Sequence, residues 1–150
     1  MSATRANDRH LLDVNVLIAL AWPNHVHHGD ARAWFREVGQ LGWATTPVTE
    51  AGFVRISSNP AVVTEAVTPA EALLVLAAMR SRGDHTFLVD DVELVLGDGL
   101  PAERVGSHRH VTDAHLVVLA ARHRARLATL DRGLVALGTP ESVVAIPVDR

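Results

Sequence analysis

The stretch His10 to Leu20 (HLLDVNVLIAL) constrains this chain more than any other: past His10, one carboxylate, Asp13, and one amide, Asn15, interrupt an otherwise apolar run. An apolar run this short, followed by turn and helix signals, predicts a buried strand opening a domain. A charge inside such a run is costly to bury unless it is paired or holds a cation. The spacing predicts a strand ending near Asp13 and a helix over Val14–Ala21, stopped by Pro23. Asp13 then stands at the carboxyl edge of a sheet, where open α/β folds bind their ligands. Helix capping accounts equally well for one aspartate at such a junction. The other acids of the chain decide between the two.

In chain order, an amphipathic helix is predicted with Ala31, Trp34, Phe35 and Val38 on one face, ending at Gly39 or Gly42. A short strand follows at Trp43–Thr46, then a helix opened by Pro47-Val-Thr-Glu50 and closed by Asn59-Pro60. Thr68 caps a further helix with Pro69 at its first position, running to Arg82 and stopping at Gly83. A strand at Thr86–Val89, a short helix from Asp91 to Leu96 and a loop over 97–110 come next. Val111-Thr-Asp113 opens a long helix to about Arg124. A strand at Leu127–Leu130, a short helix from Asp131 to Leu137 and a last strand at Val143–Ile146 complete the chain. Short apolar strands alternating with helices predict one α/β domain over residues 1–150, its central, mostly parallel sheet of about five strands flanked by helices in three layers.

Composition narrows the chemistry. The chain has 150 residues with no cysteine, no lysine and no tyrosine, and all fourteen basic residues are arginine. Thiol nucleophiles, cysteine-based zinc sites, P-loop lysines and Schiff-base lysines are excluded. A net charge of −3 argues against nucleic-acid binding by bulk electrostatics, though not against a few arginines placed beside a phosphate. The polar start and short apolar run fit neither a signal peptide nor a membrane span, so a cytoplasmic location without membrane attachment is expected.

Four acids share a position. Pro47-Val-Thr-Glu-Ala and His110-Val-Thr-Asp-Ala repeat a Val-Thr-acid-Ala pattern before an apolar helix, with a threonine available to cap and an acid in the first turn. Asp13 and Asp131 each follow an apolar strand directly and precede a helix. Helix beginnings converge on one edge of a parallel sheet, so Asp13, Glu50, Asp113 and Asp131 can meet. First-turn acids are common for capping alone, but capping does not explain why two follow buried strands. Such a cluster without lysine needs a divalent cation, and hard oxygen ligands favour Mg²⁺ or Mn²⁺. Sites of this kind activate water and stabilise in-line phosphoryl transfer.

The motifs LLDVNVLIAL, TPVTEAGFVRISSNP, VTDAHLVVLA and LATLDRGL, in this order and spacing over nearly the whole chain, resemble the PIN-domain ribonucleases of the VapC toxin type. The resemblance implies a PIN-like fold and an endoribonuclease that hydrolyses RNA, with Asp13, Glu50, Asp113 and Asp131 as an acidic quartet around Mg²⁺ or Mn²⁺. It implies that Asn15 and Thr129 are polar neighbours of the first and last acids. It also implies a homodimer neutralised by a small cognate antitoxin of the VapB type. Arg55, Arg109 and Arg132 lie close in sequence to quartet members, and one of them is expected to hold substrate phosphate; the sequence does not choose among them.

His25, His27 and His28 have no zinc-ligand spacing and read as a loop leading into a helix. His115 reads as a satisfied or exposed histidine, and Arg122, Arg124 and Arg126 as cations at a helix end. A phosphatase of the haloacid-dehalogenase kind would need an acid where Asn15 stands, and a lysine. A non-cleaving PIN-type module that binds RNA or protein is the alternative from another class; retention of all four acids does not exclude it.

Overall fold

The computed structural model describes residues 9–95, 105–136, 138–139 and 141–149. Its centre is a five-stranded sheet formed by β1 (His10–Leu12), β2 (Trp43–Thr45), β3 (His85–Phe87), β4 (Arg126–Thr129) and β5 (Val143–Ala145). Every neighbouring pair is parallel and the order is β3-β2-β1-β4-β5. The strands are three or four residues long.

The period-two alternation of strand side chains divides the core in two. Leu12, Trp43 and Ala128 face one cluster with Val16, Leu17, Phe53 and Leu76. That layer holds α1 (Val14–Ala21), α2 (His28–Val38), α3 (Pro47–Ser57) and α4 (Pro69–Arg80). Leu11, Ala44 and Leu127 face the other cluster with Leu116, Leu119 and Leu134, from α5 (Val111–Arg122) and α6 (Arg132–Val135). The expected three-layer α/β architecture is therefore observed. Among the described residues no helix is long and apolar enough to cross a membrane.

Local sequence sets most element ends. Asp13 caps α1 through Val14 N–H at 2.7 Å, and Thr68 caps α4 through Glu71 N–H at 3.1 Å with Pro69 at the first position. Gly83, at φ +60, turns the chain after α4, and an added Cβ there would lie 2.7 Å from Gly39 O. Some element ends shift by one or two residues: α4 ends at Arg80 rather than Arg82, and β3 spans His85–Phe87 rather than Thr86–Val89. Three larger expectations differ. Residues 91–95 are not helical: Asp91 is drawn to Arg122 and His123, and Asp90 to His115, so α5 dictates the path. The predicted end of that helix at Leu96, and residues 97–104 of the predicted loop, lie outside the described residues. A 3₁₀ turn, His108–His110, leads into α5. The Val-Thr-acid threonines sit inside the first turns rather than at the caps, which are Thr46 and His110.

Candidate active site

The strand order places the chemistry. From β1 the chain builds outward on one side through β2 and β3, then on the other through β4 and β5. The switch point lies between β1 and β4, and in open α/β sheets ligands bind beyond the carboxyl ends of the strands at such a point. Asp13 follows β1 and Asp131 follows β4, one on each side of it.

Asp13 is 5% exposed. Its Oδ1 accepts from Val14 N–H at 2.7 Å and its Oδ2 from the Thr129 hydroxyl at 2.8 Å. The Thr129 oxygen accepts in turn from Asn15 Nδ2 at 3.3 Å and from Asp131 N–H at 3.0 Å, while Asn15 Oδ1 accepts from Leu130 N–H at 3.2 Å. Asn15 and Thr129 thus stitch the end of β1 to the end of β4 and fix the first acid relative to the last. Asp131 Oδ1 caps α6 through Gly133 N–H at 2.8 Å; its Oδ2 has no hydrogen bond among the described residues.

Asp113, in the first turn of α5, completes a trio. Its carboxyl is pushed up to about 6, first by desolvation and then by the charges of Asp13 and Asp131, with His110 opposing. Burial also raises Asp13, and the charge of Asp131 adds to it, against the lowering hydrogen bonds from Thr129 and Val14. None of the three carboxylates has a salt bridge among the described residues. Three acids that repel one another and form no salt bridge among the described residues make a site that favours an external cation.

Glu50 stands differently. Its Oε2 accepts from the Thr45 hydroxyl at 2.6 Å and pairs with Arg80 Nη1 at 3.1 Å. The Thr45 oxygen is also 2.8 Å from His85 Nε2, and the Arg80 guanidinium lies 5.4 Å from the centroid of the Phe87 ring. Neither the Asp13 nor the Asp113 shift draws on Glu50. Arg80, Thr45 and His85 were not singled out by the sequence. Thr45 stands only five residues before Glu50, but nothing local marks the other two, which reach it from a helix end and a neighbouring strand.

Among the three expected phosphate contacts, Arg132 is exposed and follows Asp131 directly, and Arg109 is exposed in the turn leading to α5. Arg55 instead borders a groove between α3 and α4 together with Glu50. His115, 8% exposed, meets Asp90 through Nε2 at 2.8 Å, while its Nδ1 is buried with no hydrogen-bond partner among the described residues, so the expectation of a satisfied histidine holds for one ring nitrogen only.

The profile of the PIN domain family matches residues 10–139. The chain belongs to the PIN domain family. Within that family it is of the VapC type. It is 57% identical over 124 residues to Ribonuclease VapC39 of Mycobacterium tuberculosis (strain ATCC 25618 / H37Rv), covering 83% of this chain and 89% of that protein. It is 53% identical over 127 residues to Ribonuclease VapC38 of the same strain, covering 85% and 88%. Ribonuclease VapC44 is 36% identical over 132 residues, covering 88% and 92%.

A PIN domain of this type implies a divalent cation, and the donor chemistry agrees. The trio offers only hard carboxylate oxygens, one carboxylate deeply buried, and among the described residues no guanidinium pairs with them. Among the described residues no three acid or histidine side chains close around a common point. Mg²⁺ does not require such a cage, since it keeps several waters and takes one or two carboxylates directly.

Proposed function

We propose that this PIN domain is an Mg²⁺- or Mn²⁺-dependent endoribonuclease, the toxin of a toxin–antitoxin pair, hydrolysing RNA phosphodiester bonds at the edge formed by β1 and β4. The observation that carries the reading is the unpaired, mutually repelling trio Asp13, Asp113 and Asp131 at the topological switch point. Asp13, Asp113 and Asp131 would hold the cation, and Glu50 would join them as the fourth acid if released from its pair with Arg80. A bound divalent cation supplies positive charge for the phosphoryl oxygens and makes water a better nucleophile.

The chain's own residues do the rest. Thr129 aims Asp13 and, by donating to it, favours its charged form against the larger effect of burial, while Asn15 holds the Thr129 hydroxyl in place. Asp113 holds its proton up to about pH 6 in the absence of cation, so loading the site near that pH releases protons. Arg109 and Arg132, beside Asp113 and Asp131, hold the phosphates flanking the cleaved bond; Arg55 meets RNA farther out, along the α3–α4 groove.

That groove, about 570 Å³, exposes Leu73 and Phe87, an apolar surface that suits a partner chain. A cognate antitoxin that lays an apolar segment there and presents a basic side chain to the acids would silence the enzyme, and charge steering would speed the encounter. A homodimer is part of the same proposal. The Glu50–Arg80 pair favours one rival reading, a non-cleaving module that binds RNA or protein.

The test is RNA cleavage by purified protein with Mg²⁺, Mn²⁺ or EDTA, parent against Asp13→Ala. Cleavage that needs the metal and the aspartate supports the enzyme; binding without cleavage supports the rival, and cleavage persisting in EDTA overturns the metal site. Growth arrest on expression, relieved by co-expressing the neighbouring gene, tests the toxin assignment.

A further inference from the structure

A second charged site lies at the end of the sheet where the strands begin, opposite Asp13 and Asp131. Arg32 and Arg36, one helical turn apart on α2, and Arg82, just past the end of α4, line a single cavity of about 100 Å³. Phe35, Trp43 and Met79 form its apolar floor. Trp43 is the first residue of β2, so the cavity opens where the strands begin, whereas Asp13 and Asp131 stand where they end.

What sets the three arginines apart is that they line one cavity. Arg80 and Arg122 each pair with a carboxylate, but among the described residues Arg32, Arg36 and Arg82 make no ion pair and donate no side-chain hydrogen bond. Like charges one turn apart on a helix repel, and gathering a third cation beside them adds to that cost. Yet the backbone beneath is firmly placed. The indole of Trp43, 1% exposed, donates to Arg82 O at 2.8 Å, and Arg82 N–H bonds Met79 O at 3.0 Å. Three unpaired guanidiniums on a fixed apolar base are arranged for an anion.

We infer that this cavity binds a phosphate monoester. The charge argues for it: a monoester carries about −1.5 to −2 near neutral pH, against −1 for a carboxylate or a backbone diester, and three guanidiniums call for the larger charge. The planar fork of arginine matches phosphate oxygens two at a time. The size agrees, since about 100 Å³ admits a phosphate group but leaves a nucleoside outside. Recognition therefore rests on the phosphate, which can belong to a free nucleotide or to the phosphorylated end of an RNA strand.

The experiment is calorimetric titration of the full-length, metal-free protein at constant ionic strength. Its probes are inorganic phosphate, a nucleoside 5′-monophosphate, and a short oligoribonucleotide carrying either a 5′-phosphate or a 5′-hydroxyl. Inorganic phosphate and the monophosphate are expected to bind saturably where chloride does not. Arg36→Gln and Arg82→Gln should each weaken binding about tenfold or more. Both residues are exposed, so the variants should keep the parent's circular dichroism; Arg32→Gln provides an independent third variant. A phosphorylated strand binding more tightly than the monophosphate identifies an RNA end as the source, and equal binding identifies the free nucleotide. The inference fails if phosphate acts no differently from chloride, or if all three variants bind like the parent. It fails equally if the 5′-hydroxyl strand binds as well as the phosphorylated one, or if an acidic peptide outcompetes phosphate, which would make the cavity a protein-docking site.

Discussion

Replacing Asp113 by asparagine separates a repelled metal ligand from a first-turn acid. In the folded protein the Asp113 carboxyl titrates at about 6, raised from 3.8. A shift of that size corresponds to roughly 3 kcal/mol. Asp113 is only half-buried, and solvent screening reduces this to about 1 kcal/mol. The sign follows from proton linkage. The folded state binds this proton more tightly than the unfolded chain, so stability falls as pH rises from 3.8 through about 6 and the full penalty persists above that. Asparagine keeps the shape and carries no charge at any pH. In metal-free buffer at about pH 7.5 the variant should melt about 2–4 °C above the parent, and by about pH 4.5 the gap should have largely closed. Added Mn²⁺ should then raise the parent's midpoint more than the variant's, because ligand stabilisation follows affinity. The assay is thermal unfolding of both proteins at the two pH values, with EDTA or Mn²⁺. A gap that does not change with pH, or equal stabilisation of both proteins by metal, would refute the reasoning.

Thr129→Val should cost about 1–3 kcal/mol in urea unfolding, because Asp13 loses a donor while Asn15 Nδ2 and Asp131 N–H lose an acceptor; Thr129→Ser should restore most of it, and equal losses for both would discount the hydroxyl. In Gly52→Ala the new Cβ would lie 2.7 Å from Val14 Cγ2, so the variant should lose about 1–3 kcal/mol. Adding Val14→Ala should recover part of that loss, and strict additivity in the double mutant would show that the two do not touch. Arg80→Met frees Glu50 from its ion pair, and if Glu50 belongs to the cation site, Mn²⁺ affinity by calorimetry should rise about two- to fivefold. Unchanged affinity would remove Glu50 from the site.

Much of the fold was legible because its signals are local. The strand ending before Asp13 and the Thr68-Pro69 helix start each act within a few residues and stand where the pattern placed them, while the helix expected to run to Arg82 ends at Arg80 and Gly83 makes the turn that follows. The helix expected from Asp91 failed for the opposite reason. Its capping aspartate answers to Arg122 and His123, about a fifth of the chain away, and nothing near Asp91 reveals that.

The candidate site divides along the same line. Carboxylates at the starts of helices, in a chain without lysine, could be read directly and pointed to a cation. Which of those acids meet is decided by strand order. Only the pairing of β1 with β4 brings Thr129 to Asp13 across 116 residues and puts Asp131 close enough to raise the pKa of Asp13 and Asp113. Glu50, with the same local signature as Asp113, was instead drawn to Arg80 and Thr45 because β2 lies on the far side of β1 and α4 packs beside α3. The sequence alone determined the kind of groups available and their place at helix beginnings, since caps and periodicity are properties of neighbouring residues. Their distances, charges and partners belong to the tertiary structure, because electrostatic coupling depends on separation in space and a parallel sheet joins segments that the chain keeps far apart.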